Sequence, residues 1–329
     1  MKIFLTGAAG FIGYHAARRF LERGDTVLGV DNLSDYYSVE LKKARLERLA
    51  AFDRFRFVAA DVAEPAQLSG AAGAEGFDAI VHLAAQAGVR FSLENPFTYV
   101  QTNVAGQVAI FDLAVRSGRI PIVYASSSSV YGANEKIPFA EDDRVDRPVS
   151  VYAATKRAGE LLAHAYRETC GIASTGLRFF TVYGRYGRPD MAPWLFTDAV
   201  LKGDPIQVFN NGEMERDFTH VSDIVAGVVA AADRILAQPD ATEAIYNLGN
   251  NRPVRLLDFI AAIERATGRA ARLEMRPKPA GDVVRTFADI SRAARDLGFR
   301  PAVALDEGIA DFVAWFRAWN GPGKASAGA

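Results

Sequence analysis

The sequence is poor in features that mark secreted, metal-binding or membrane proteins. Its single cysteine, Cys170, allows no disulfide within the chain, which is typical of a reducing compartment such as the cytoplasm. Its 4 histidines show no metal-ligand spacing. No apolar run approaches the roughly 18 residues of a membrane span, and no export segment precedes the glycine motif at Gly7. We therefore expect a cytoplasmic protein without a metal ion, a signal peptide or a membrane anchor.

The sequence also lacks an excess of either charge, since 38 basic residues balance 39 acidic ones. Nucleic-acid-binding proteins usually carry a basic excess and membrane-anchored ones a polybasic segment, so both classes are disfavoured. No Gly-x-Ser-x-Gly motif is present, which argues against an acyl hydrolase. With 50% hydrophobic residues, the 329-residue chain is expected to form one large domain or two coupled domains.

Short apolar segments alternate with longer amphipathic ones in the first half of the chain. The predicted strands are Lys2–Thr6, Thr26–Val30, Phe55–Ala60, Ala79–Ala84, Pro121–Ala125 and Thr175–Phe180. Helical spacing marks the segments between them, such as Tyr14–Arg23 and Pro96–Ser117. Strands that alternate with helices form βαβ units, so the sequence predicts an α/β fold with a doubly wound parallel sheet of the Rossmann type.

The alternation loosens after Phe180, where the predicted helices Ser222–Leu236, Leu256–Thr267 and Leu305–Trp319 stand apart from one another. We therefore predict a first domain over residues 1–180 and a smaller C-terminal α/β substrate domain over residues 181–329. Segments near residues 218–250 are expected to return to the first domain.

A glycine motif follows the first predicted strand and begins a helix. The spacing G-x-x-G-x-x-G permits a tight turn, a close approach of the backbone to a pyrophosphate, and packing of the helix on the strand. A carboxylate at the end of the second strand accepts both adenosine ribose hydroxyls and repels a 2′-phosphate, which favours NAD over NADP. The alternative is an ordinary glycine-rich turn with a solvated aspartate. The candidate cofactor contacts are Gly7, Gly10, Phe11, Ile12, Gly13, Asp31, Asn32, Asp61, Val62, Leu83, Ala84 and Ala85.

A candidate base occurs in the stretch SVYAATKRAGE, where Tyr152 and Lys156 are four residues apart and share one face of a helix. An ammonium group beside a phenol stabilises the phenolate, so we expect the pKa of Tyr152 to be lowered from its usual value of about 10. Such a tyrosine can remove the proton of an alcohol. Both residues are also candidate cofactor contacts.

Four consecutive serines, Ser126–Ser129, follow the fifth predicted strand, and we call them the serine turn. Ligands of open α/β sheets bind at the carboxyl ends of the strands, so these hydroxyls are expected to lie beside the substrate. A hydroxyl there can share a hydrogen bond with Tyr152 and a reacting sugar oxygen. A flexible linker is the alternative, but the flanking stretches IPIVYA and VYG indicate a strand and its turn.

The motifs together resemble the extended short-chain dehydrogenase/reductases that act on nucleotide sugars. The resemblance covers nearly the whole chain and rests on the glycine motif, HLAAQAGV, SSSSVYG, Tyr152-x-x-x-Lys156, LRFFTVYG, ERDFTHVSDIV and Gly281-Asp282. The stretches DNLSDYYSVELKKARL, AAQAGVRFSLENP and TVYGRYGRPDMA are similar to the subgroup that epimerises UDP-glucuronate. This resemblance implies NAD-dependent oxidation of C4, turnover of a 4-keto sugar, and hydride return that yields UDP-galacturonate.

The same resemblance implies roles for single residues. Tyr152 is expected to be the base and Lys156 its electrostatic partner, whereas Ser127 contacts the sugar and Ser129 lines the same site. Among the substrate contacts, Arg188 is expected to bind the sugar carboxylate, and Arg216 and Asp282 the UDP portion. The full set of candidate substrate contacts is Arg90, Ser128, Thr181, Arg185, Arg188, Arg216 and Asp282.

Two arginines depart from the pattern of the family. Arg185 stands where proline is expected, and it is either a second carboxylate contact or a solvated side chain. Arg285 stands where a small residue is expected, and it is a candidate phosphate contact.

The serine turn favours epimerisation over other reactions of the family. Related 4,6-dehydratases resemble one another in an Asp-Glu pair at the places of Ser128 and Ser129, and UDP-glucuronate decarboxylases typically carry glutamate at the latter. A UDP-galactose 4-epimerase is the next alternative, but a neutral C6 group needs no arginine-rich segment such as GRYGRPDMA. A dinucleotide sensor without activity is expected to lack the pair of Tyr152 and Lys156.

Two amphipathic segments, Pro96–Ser117 and Val151–Thr169, resemble the helices that form the dimer interface in this family. A homodimer is therefore implied. The alternative is ordinary packing of these helices within one subunit.

Overall fold

The computed structural model describes residues 1–238, 244–277 and 285–321. Its strands are β1 (Lys2–Thr6), β2 (Thr26–Asp31), β3 (Phe55–Ala59), β4 (Ala79–His82), β5 (Ile122–Ser127), β6 (Ser174–Phe179), β7 (Thr181–Tyr183), β8 (Pro205–Phe209), β9 (Glu215–His220), β10 (Ala244–Leu248), β11 (Pro253–Arg255) and β12 (Arg272–Arg276). Its helices are α1 (Phe11–Glu22), α2 (Val39–Ala50), α3 (Pro65–Ala72), α4 (Phe91–Glu94), α5 (Pro96–Val100), α6 (Gly106–Arg116), α7 (Val151–Cys170), α8 (Ala192–Lys202), α9 (Val221–Ala237), α10 (Leu256–Thr267), α11 (Ser291–Leu297) and α12 (Leu305–Trp319).

The larger sheet of the described chain has seven parallel strands in the order β10-β6-β5-β4-β1-β2-β3. The order reverses between β1 and β4, which are adjacent in the sheet but not in the chain. This arrangement confirms the predicted α/β fold with a doubly wound parallel sheet. Ligands of such sheets bind beyond the carboxyl ends of the strands at this reversal.

Helices cover both faces of the larger sheet, so its strands consist of nearly continuous apolar residues. Ile3 and Leu5 of β1 contribute to a core with α1 and α9 on one face, and Phe4 contributes to a core with α3 and α6 on the other. All three side chains are fully buried. The alternation of side chains along one strand therefore fills both cores.

The remaining strands form two small sheets, β11-β9-β7 and β12-β8. Helices α8, α10 and α12 pack around them, with the rings of Phe218 and Phe259 stacked at 4.0 Å between centroids. Two segments after residue 180 join the larger sheet instead, because β10 pairs with β6 and α9 packs on α1. Strand β9, which precedes α9, belongs to the smaller part.

The predicted helix Pro96–Ser117 is interrupted by a π-helical turn over Gln101–Ala105. Asn103 in this turn accepts the backbone N–H of Gln86 at 2.8 Å and donates to its carbonyl oxygen at 3.0 Å. Its amide nitrogen also lies 3.1 Å from the hydroxyl of Thr155 on α7. The turn thus joins the segment after β4 to α7, and π-turns of this kind often lie at functional sites.

Candidate active site

A cavity of about 1350 Å³ opens at the carboxyl ends of β1, β4 and β5 and extends to residues of α8 and β8 in the smaller part. It is larger than the roughly 300–1,000 Å³ typical of a site for one small ligand, so it has room for two. The predicted site residues that line it are Gly7, Gly10, Phe11, Ile12, Gly13, Asp31, Asn32, Asp61, Val62, Leu83, Ala84, Ala85, Arg90, Ser127, Ser128, Ser129, Tyr152, Lys156, Thr181 and Arg188.

The structure does not bring Arg185 to this cavity. The Nε of Arg185 donates to Oδ2 of Asp311 on α12 at 2.8 Å, and the arginine side chain is 51% exposed. Its backbone carbonyl oxygen lies 2.8 Å from Nε2 of His15 on α1. The carboxylate of Asp311 therefore binds this guanidinium at the surface. Of the two interpretations of Arg185, a second carboxylate contact or a side chain at the solvent-exposed surface, the structure favours the latter.

Two further candidates for the nucleotide portion, Arg216 and Arg285, also lie outside the cavity lining. Arg216 is half-buried on β9, and its Nη1 donates to the carbonyl oxygen of Glu215 at 2.9 Å. Arg285, proposed as a phosphate contact, places Nε 2.5 Å from Oε2 of Glu215. Asp282 lies outside the described residues.

The glycine motif forms a tight cradle between β1 and α1. Gly7 has a φ of +75°, and a Cβ there would lie 2.7 Å from the backbone nitrogen of Ala84. A Cβ on Gly13 would lie 1.9 Å from the carbonyl oxygen of Gly7, so only glycine lets α1 approach the turn. Gly10 caps α1 without a side-chain bond, which leaves the first N–H groups of the helix for a phosphate. This cradle fits the pyrophosphate of NAD.

Asp31 lies at the end of β2, where it is 8% exposed and lines the cavity. Its carboxylate accepts the backbone N–H groups of Leu33 at 2.8 Å and Ala9 at 3.1 Å. Burial raises the pKa of this carboxyl, while the nearby Lys42 ammonium and these two bonds oppose the rise. Its place at the strand end suits the ribose hydroxyls of an adenosine. Lys42 also lines the cavity, and sequence reasoning missed it.

Tyr152 and Lys156 lie in the first two turns of α7. The hydroxyl of Ser150 caps this helix by accepting the backbone N–H of Ala153 at 3.1 Å. Lys156 is buried, and its Nζ donates to the carbonyl oxygen of Ala125 on β5 at 3.0 Å. Both side chains line the cavity, which confirms that the i and i+4 spacing places them on one face.

The expected lowering of the pKa of Tyr152 is wrong for this structure. Burial raises the pKa of the Tyr152 phenol, and a hydrogen bond with Ser127 and the charge of Arg188 only partly oppose the rise. Burial also lowers the pKa of Lys156 to about 8. Desolvation has the larger effect on each group, and it disfavours the charged form of both the phenol and the ammonium.

The serine turn is an ordered end of β5 rather than a linker. The strand continues two residues beyond its predicted end, through Ser127. The hydroxyl of Ser127 accepts the backbone N–H of Ser129 at 3.1 Å and donates to its hydroxyl at 3.2 Å. A 3₁₀ turn over Ser128–Tyr131 follows. Ser127, Ser128 and Ser129 therefore present hydroxyls to the cavity next to Tyr152.

A buried polar network supports the serine turn from behind. The hydroxyl of Ser126 donates to Oε1 of Glu160 on α7 at 2.6 Å, and Arg178 on β6 donates from Nε to the same oxygen at 2.8 Å and from Nη2 to Oε2 at 2.9 Å. Arg178 Nη1 also donates to the hydroxyl of Tyr131 at 2.9 Å, and this hydroxyl donates to Oδ1 of Asn247 at 2.7 Å. These bonds connect β5, β6 and β10 to α7, the helix that carries Tyr152.

Arg188 is a half-buried cation in the same cavity. Its side chain is 18% exposed, and Nε donates to Oδ1 of Asp190 at 3.0 Å. The hydroxyl of Tyr36 donates to Oδ2 of the same carboxylate at 3.0 Å. Tyr36 and Asp190 line the cavity but were missed from the sequence. An acidic residue two positions after a candidate arginine is the signal that identifies such a partner.

A further contact connects the two sides of the cavity mouth. The guanidinium carbon of Arg90, after β4, lies 5.6 Å from the ring centroid of Phe209 at the end of β8. Both residues line the cavity. The aromatic residue was not predicted, because nothing in the sequence around β8 indicates that it meets a segment more than a hundred positions earlier. A flat cation facing an aromatic ring can also stack on a planar base.

Metal-ion clusters and membrane-spanning helices are both absent from residues 1–238, 244–277 and 285–321. Within these ranges, no cluster of three or more histidine, cysteine or acidic side chains has a geometry that could hold a metal ion. No helix there has both the length and the apolar character that a membrane span needs.

Comparisons with known proteins agree on one family. The model of the NAD dependent epimerase/dehydratase family matches residues 3–249. A probable UDP-glucuronate 4-epimerase of Rhizobium meliloti (strain 1021) is 43% identical over 96% of this chain and 97% of its own length. UDP-glucuronate 4-epimerase 3 of Arabidopsis thaliana is 44% identical over 99% of this chain and 79% of its own length. A crystal structure of UDP-glucuronic acid 4-epimerase from Bacillus cereus, in complex with UDP-glucuronic acid and NAD, has a TM-score of 0.89 and 31% identity, and the match covers 97% of this chain and 100% of that one.

Proposed function

Because the chain belongs to the NAD dependent epimerase/dehydratase family, we propose that it epimerises UDP-glucuronate at C4 to UDP-galacturonate with bound NAD. One observation carries the proposal. The cavity joins the pair of Tyr152 and Lys156 to a turn of serine hydroxyls and to the half-buried cation Arg188. The relatives from Rhizobium meliloti and Arabidopsis thaliana and the structure from Bacillus cereus support the same substrate and reaction.

Tyr152 acts as the general base in the proposed reaction. Its phenolate removes the proton of the C4 hydroxyl as the hydrogen on C4 leaves with its electron pair, and the C4–O bond becomes a ketone. NAD, when bound, supplies the acceptor for that hydride and returns it later. The Lys156 ammonium and the Ser127 hydroxyl are proposed to stabilise the phenolate, and the hydrogen bond with Ser127 lowers the pKa of Tyr152.

The serine turn decides what happens to the 4-keto sugar. Elimination of water needs an acid and a base at this place, and Ser128 and Ser129 supply hydroxyls only. The ketone therefore turns, receives the hydride on its opposite face, and regains the proton from Tyr152. Each bond broken in the first half-reaction is formed again in the second, so no net oxidant or reductant is consumed.

Arg188 is proposed to bind the C6 carboxylate of the sugar. A 4-keto uronate is a β-keto acid and loses carbon dioxide when the electrons of its carboxylate flow into the ketone. A guanidinium that stays charged opposes this flow by stabilising the carboxylate. The position of Arg188 in the cavity, facing the same space as Tyr152, supports this role.

The remaining site roles are part of the proposal. The cradle of Gly7, Gly10 and Gly13 holds the pyrophosphate of NAD, and Asp31 accepts the ribose hydroxyls. Arg90 is proposed as a contact of the uracil ring, supported by its position over Phe209. The other proposed cofactor contacts are Phe11, Ile12, Asn32, Asp61, Val62, Leu83, Ala84 and Ala85, and the other proposed substrate contacts are Thr181, Arg216 and Asp282.

We also propose a homodimer formed through α5, α6 and α7. Phe97 on α5 is 84% exposed, and Leu161 on α7 is 55% exposed. Helices α5 and α6 both pack on α7, so a second copy can cover these side chains together. Burial of exposed apolar groups against a second copy supplies the free energy for such an interface.

The free thiol of Cys170 supports a location in the reducing cytoplasm. Since a nucleotide sugar is an activated glycosyl donor, the proposed product suits the synthesis of a polysaccharide that contains galacturonate.

Incubation of the purified protein with UDP-glucuronate tests the proposed function. The protein is expected to form UDP-galacturonate until both sugars reach a constant ratio. Tyr152→Phe is the matched control, because it removes one hydroxyl and is expected to bind the substrate without converting it. Conversion by the variant at the wild-type rate would contradict the assigned base.

A further inference from the structure

We infer that Asp190 is a positioning residue, which orients the guanidinium of Arg188 with the help of Tyr36 so that the site discriminates UDP-glucuronate from ligands without a carboxylate. This inference rests on the proposed function, because it assumes that Arg188 receives the C6 carboxylate. It concerns two residues that do not belong to the motifs of the glycine cradle, the serine turn or the pair of Tyr152 and Lys156.

The hydrogen bonds of Arg188 determine which edge of its guanidinium faces the cavity. Nε and Nη2 both donate to the carboxylate of Asp190, to Oδ1 and Oδ2 respectively. A fork of this kind holds the plane of the guanidinium in one orientation. In the described part of the chain, the edge that carries Nη1 is left for a ligand. A second carboxylate can therefore bind Arg188 without displacing Asp190.

Tyr36 holds the carboxylate of Asp190 from the other side. Its hydroxyl donates to Oδ2, and the guanidinium carbon of Arg188 lies 5.9 Å from the centroid of its ring. The ring also packs on Phe91 of α4 at 5.0 Å between centroids. A Cβ on Gly88 would lie 2.2 Å from the Tyr36 hydroxyl, so the glycine leaves the space that this hydroxyl occupies. Two segments of the chain thus fix the tyrosine, and the tyrosine fixes Asp190.

The charges of this cluster explain why orientation matters. The pKa of Asp190 is lowered, because Arg188 and the Tyr36 hydroxyl outweigh the effect of burial, so the carboxylate stays ionised. Arg188 and Asp190 together carry no net charge, and the pair attracts a uronate only through the free edge of the guanidinium. If Asp190 loses its charge, this edge is no longer held toward the substrate. The affinity for a ligand that lacks the carboxylate is not expected to depend on that change.

The neighbouring pair of Arg185 and Asp311 is a matched control. It joins the same two residue types, with an arginine three positions before Arg188 and an aspartate on α12, but it lies at the surface outside the cavity lining. Neutralising Asp311 removes an equivalent ion pair without touching the site. A loss of affinity that is specific to Asp190 therefore reports orientation of Arg188 rather than a general effect of the loop.

The experiment compares affinities by calorimetry for UDP-glucuronate and for UDP, with NAD present. A Tyr152→Phe background prevents turnover during the titration. Adding Asp190→Asn is expected to weaken binding of UDP-glucuronate about tenfold, which corresponds to about 1.4 kcal/mol, and to leave UDP within about twofold. Tyr36→Phe is expected to act in the same direction with a smaller effect, and Asp311→Asn to change neither affinity.

Two results contradict the inference. One is an unchanged ratio of the two affinities in Asp190→Asn, which includes an equal loss for UDP and UDP-glucuronate, and the other is the same loss in Asp311→Asn. Circular dichroism and bound NAD content verify that each variant is folded. The proposed function is tested separately by turnover in the wild-type chain, so a wild-type protein that converts UDP-glucuronate while Asp190→Asn keeps its affinity overturns only the role of Asp190.

Discussion

The hydroxyl of Ser127 is bonded twice to Ser129, by accepting its backbone N–H at 3.1 Å and by donating to its hydroxyl at 3.2 Å. The hydrogen of the same hydroxyl can instead be donated to the Tyr152 phenolate, and this hydrogen bond lowers the pKa of Tyr152 against the effect of burial. The turn after β5 thus holds one hydroxyl beside Tyr152, the proposed general base. This relationship connects the geometry of the serine turn to the ionisation of the tyrosine.

Ser127→Ala is expected to move the pH dependence of kcat to higher pH. The base acts when it is deprotonated, and removing a hydrogen bond that lowers the pKa of Tyr152 raises that pKa further. At neutral pH a smaller fraction of the tyrosine is then ionised, and we expect kcat to fall by about 10- to 100-fold. A pH–rate profile of wild type and variant measures the shift. An unshifted profile with a lower plateau would contradict the link to ionisation.

Arg188→Ala is expected to weaken binding of UDP-glucuronate by about 10- to 100-fold, since the charge pair with the substrate carboxylate is lost. The variant is also expected to release more carbon dioxide for each UDP-galacturonate formed, because the β-keto acid is less restrained. Arg185→Ala is the matched control, since this neighbouring arginine faces Asp311 outside the cavity. Affinity and product ratio that stay the same in Arg188→Ala would contradict its assigned role.

Glu160→Ala is expected to lower the free energy of unfolding by about 3–5 kcal/mol, because it leaves Arg178 buried without its carboxylate partner. Asp198→Ala breaks the exposed pair with Lys202 and is expected to have a much smaller effect. Urea unfolding of both variants measures the difference. Equal effects would show that the buried network contributes no more than a surface pair.

The same network has a predictable pH dependence. The pKa of Glu160 is lowered in the folded protein, since Arg178 and Ser126 outweigh burial. Its contribution to stability is therefore complete above the unfolded pKa of about 4.3 and is lost as pH falls through the lower folded value. Glu160→Ala is expected to lack this pH-dependent contribution. The difference in the free energy of unfolding between the variant and the wild type therefore becomes smaller at low pH.

Leu161→Glu is expected to convert a homodimer to monomers, because it places a charge on the proposed interface of α7. Leu257→Glu on α10 is the control, since this exposed leucine lies on a helix outside that interface. Light scattering gives the mass of each variant in solution. A monomeric wild type, or a dimer that persists in Leu161→Glu, would contradict the proposed interface.

Six of the seven strands of the larger sheet were predictable from the sequence because local patterns determine them, whereas β10 was expected only as part of a segment near residues 218–250. The glycine motif, the apolar runs and the Tyr152–Lys156 spacing each need fewer than about 20 neighbouring residues to be interpreted. The same holds for the cavity residues that follow the strands, since parallel strands end at one edge. The observed end of β5 lies two residues beyond its predicted end. Serines neither favour nor oppose a strand strongly, so the sequence did not show where the strand stops.

The features that escaped prediction depend on contacts between distant parts of the chain. Arg185 binds Asp311, which is 126 positions away, and Tyr36 binds Asp190, which is 154 positions away. No local pattern indicates such partners. The direction of the pKa shift of Tyr152 likewise depends on burial, which the i and i+4 spacing alone does not contain.

Proton NMR of UDP-glucuronate incubated with the purified protein in D₂O, without added NAD, tests the central claim most directly. The account predicts conversion to UDP-galacturonate with hydrogen, not deuterium, at C4, because the hydride that leaves C4 returns to it without exchange with solvent. Deuterium at C4 would contradict hydride return. UDP-xylose or a 4-keto pentose as the main product would contradict the assignment of the serine turn and Arg188 to epimerisation.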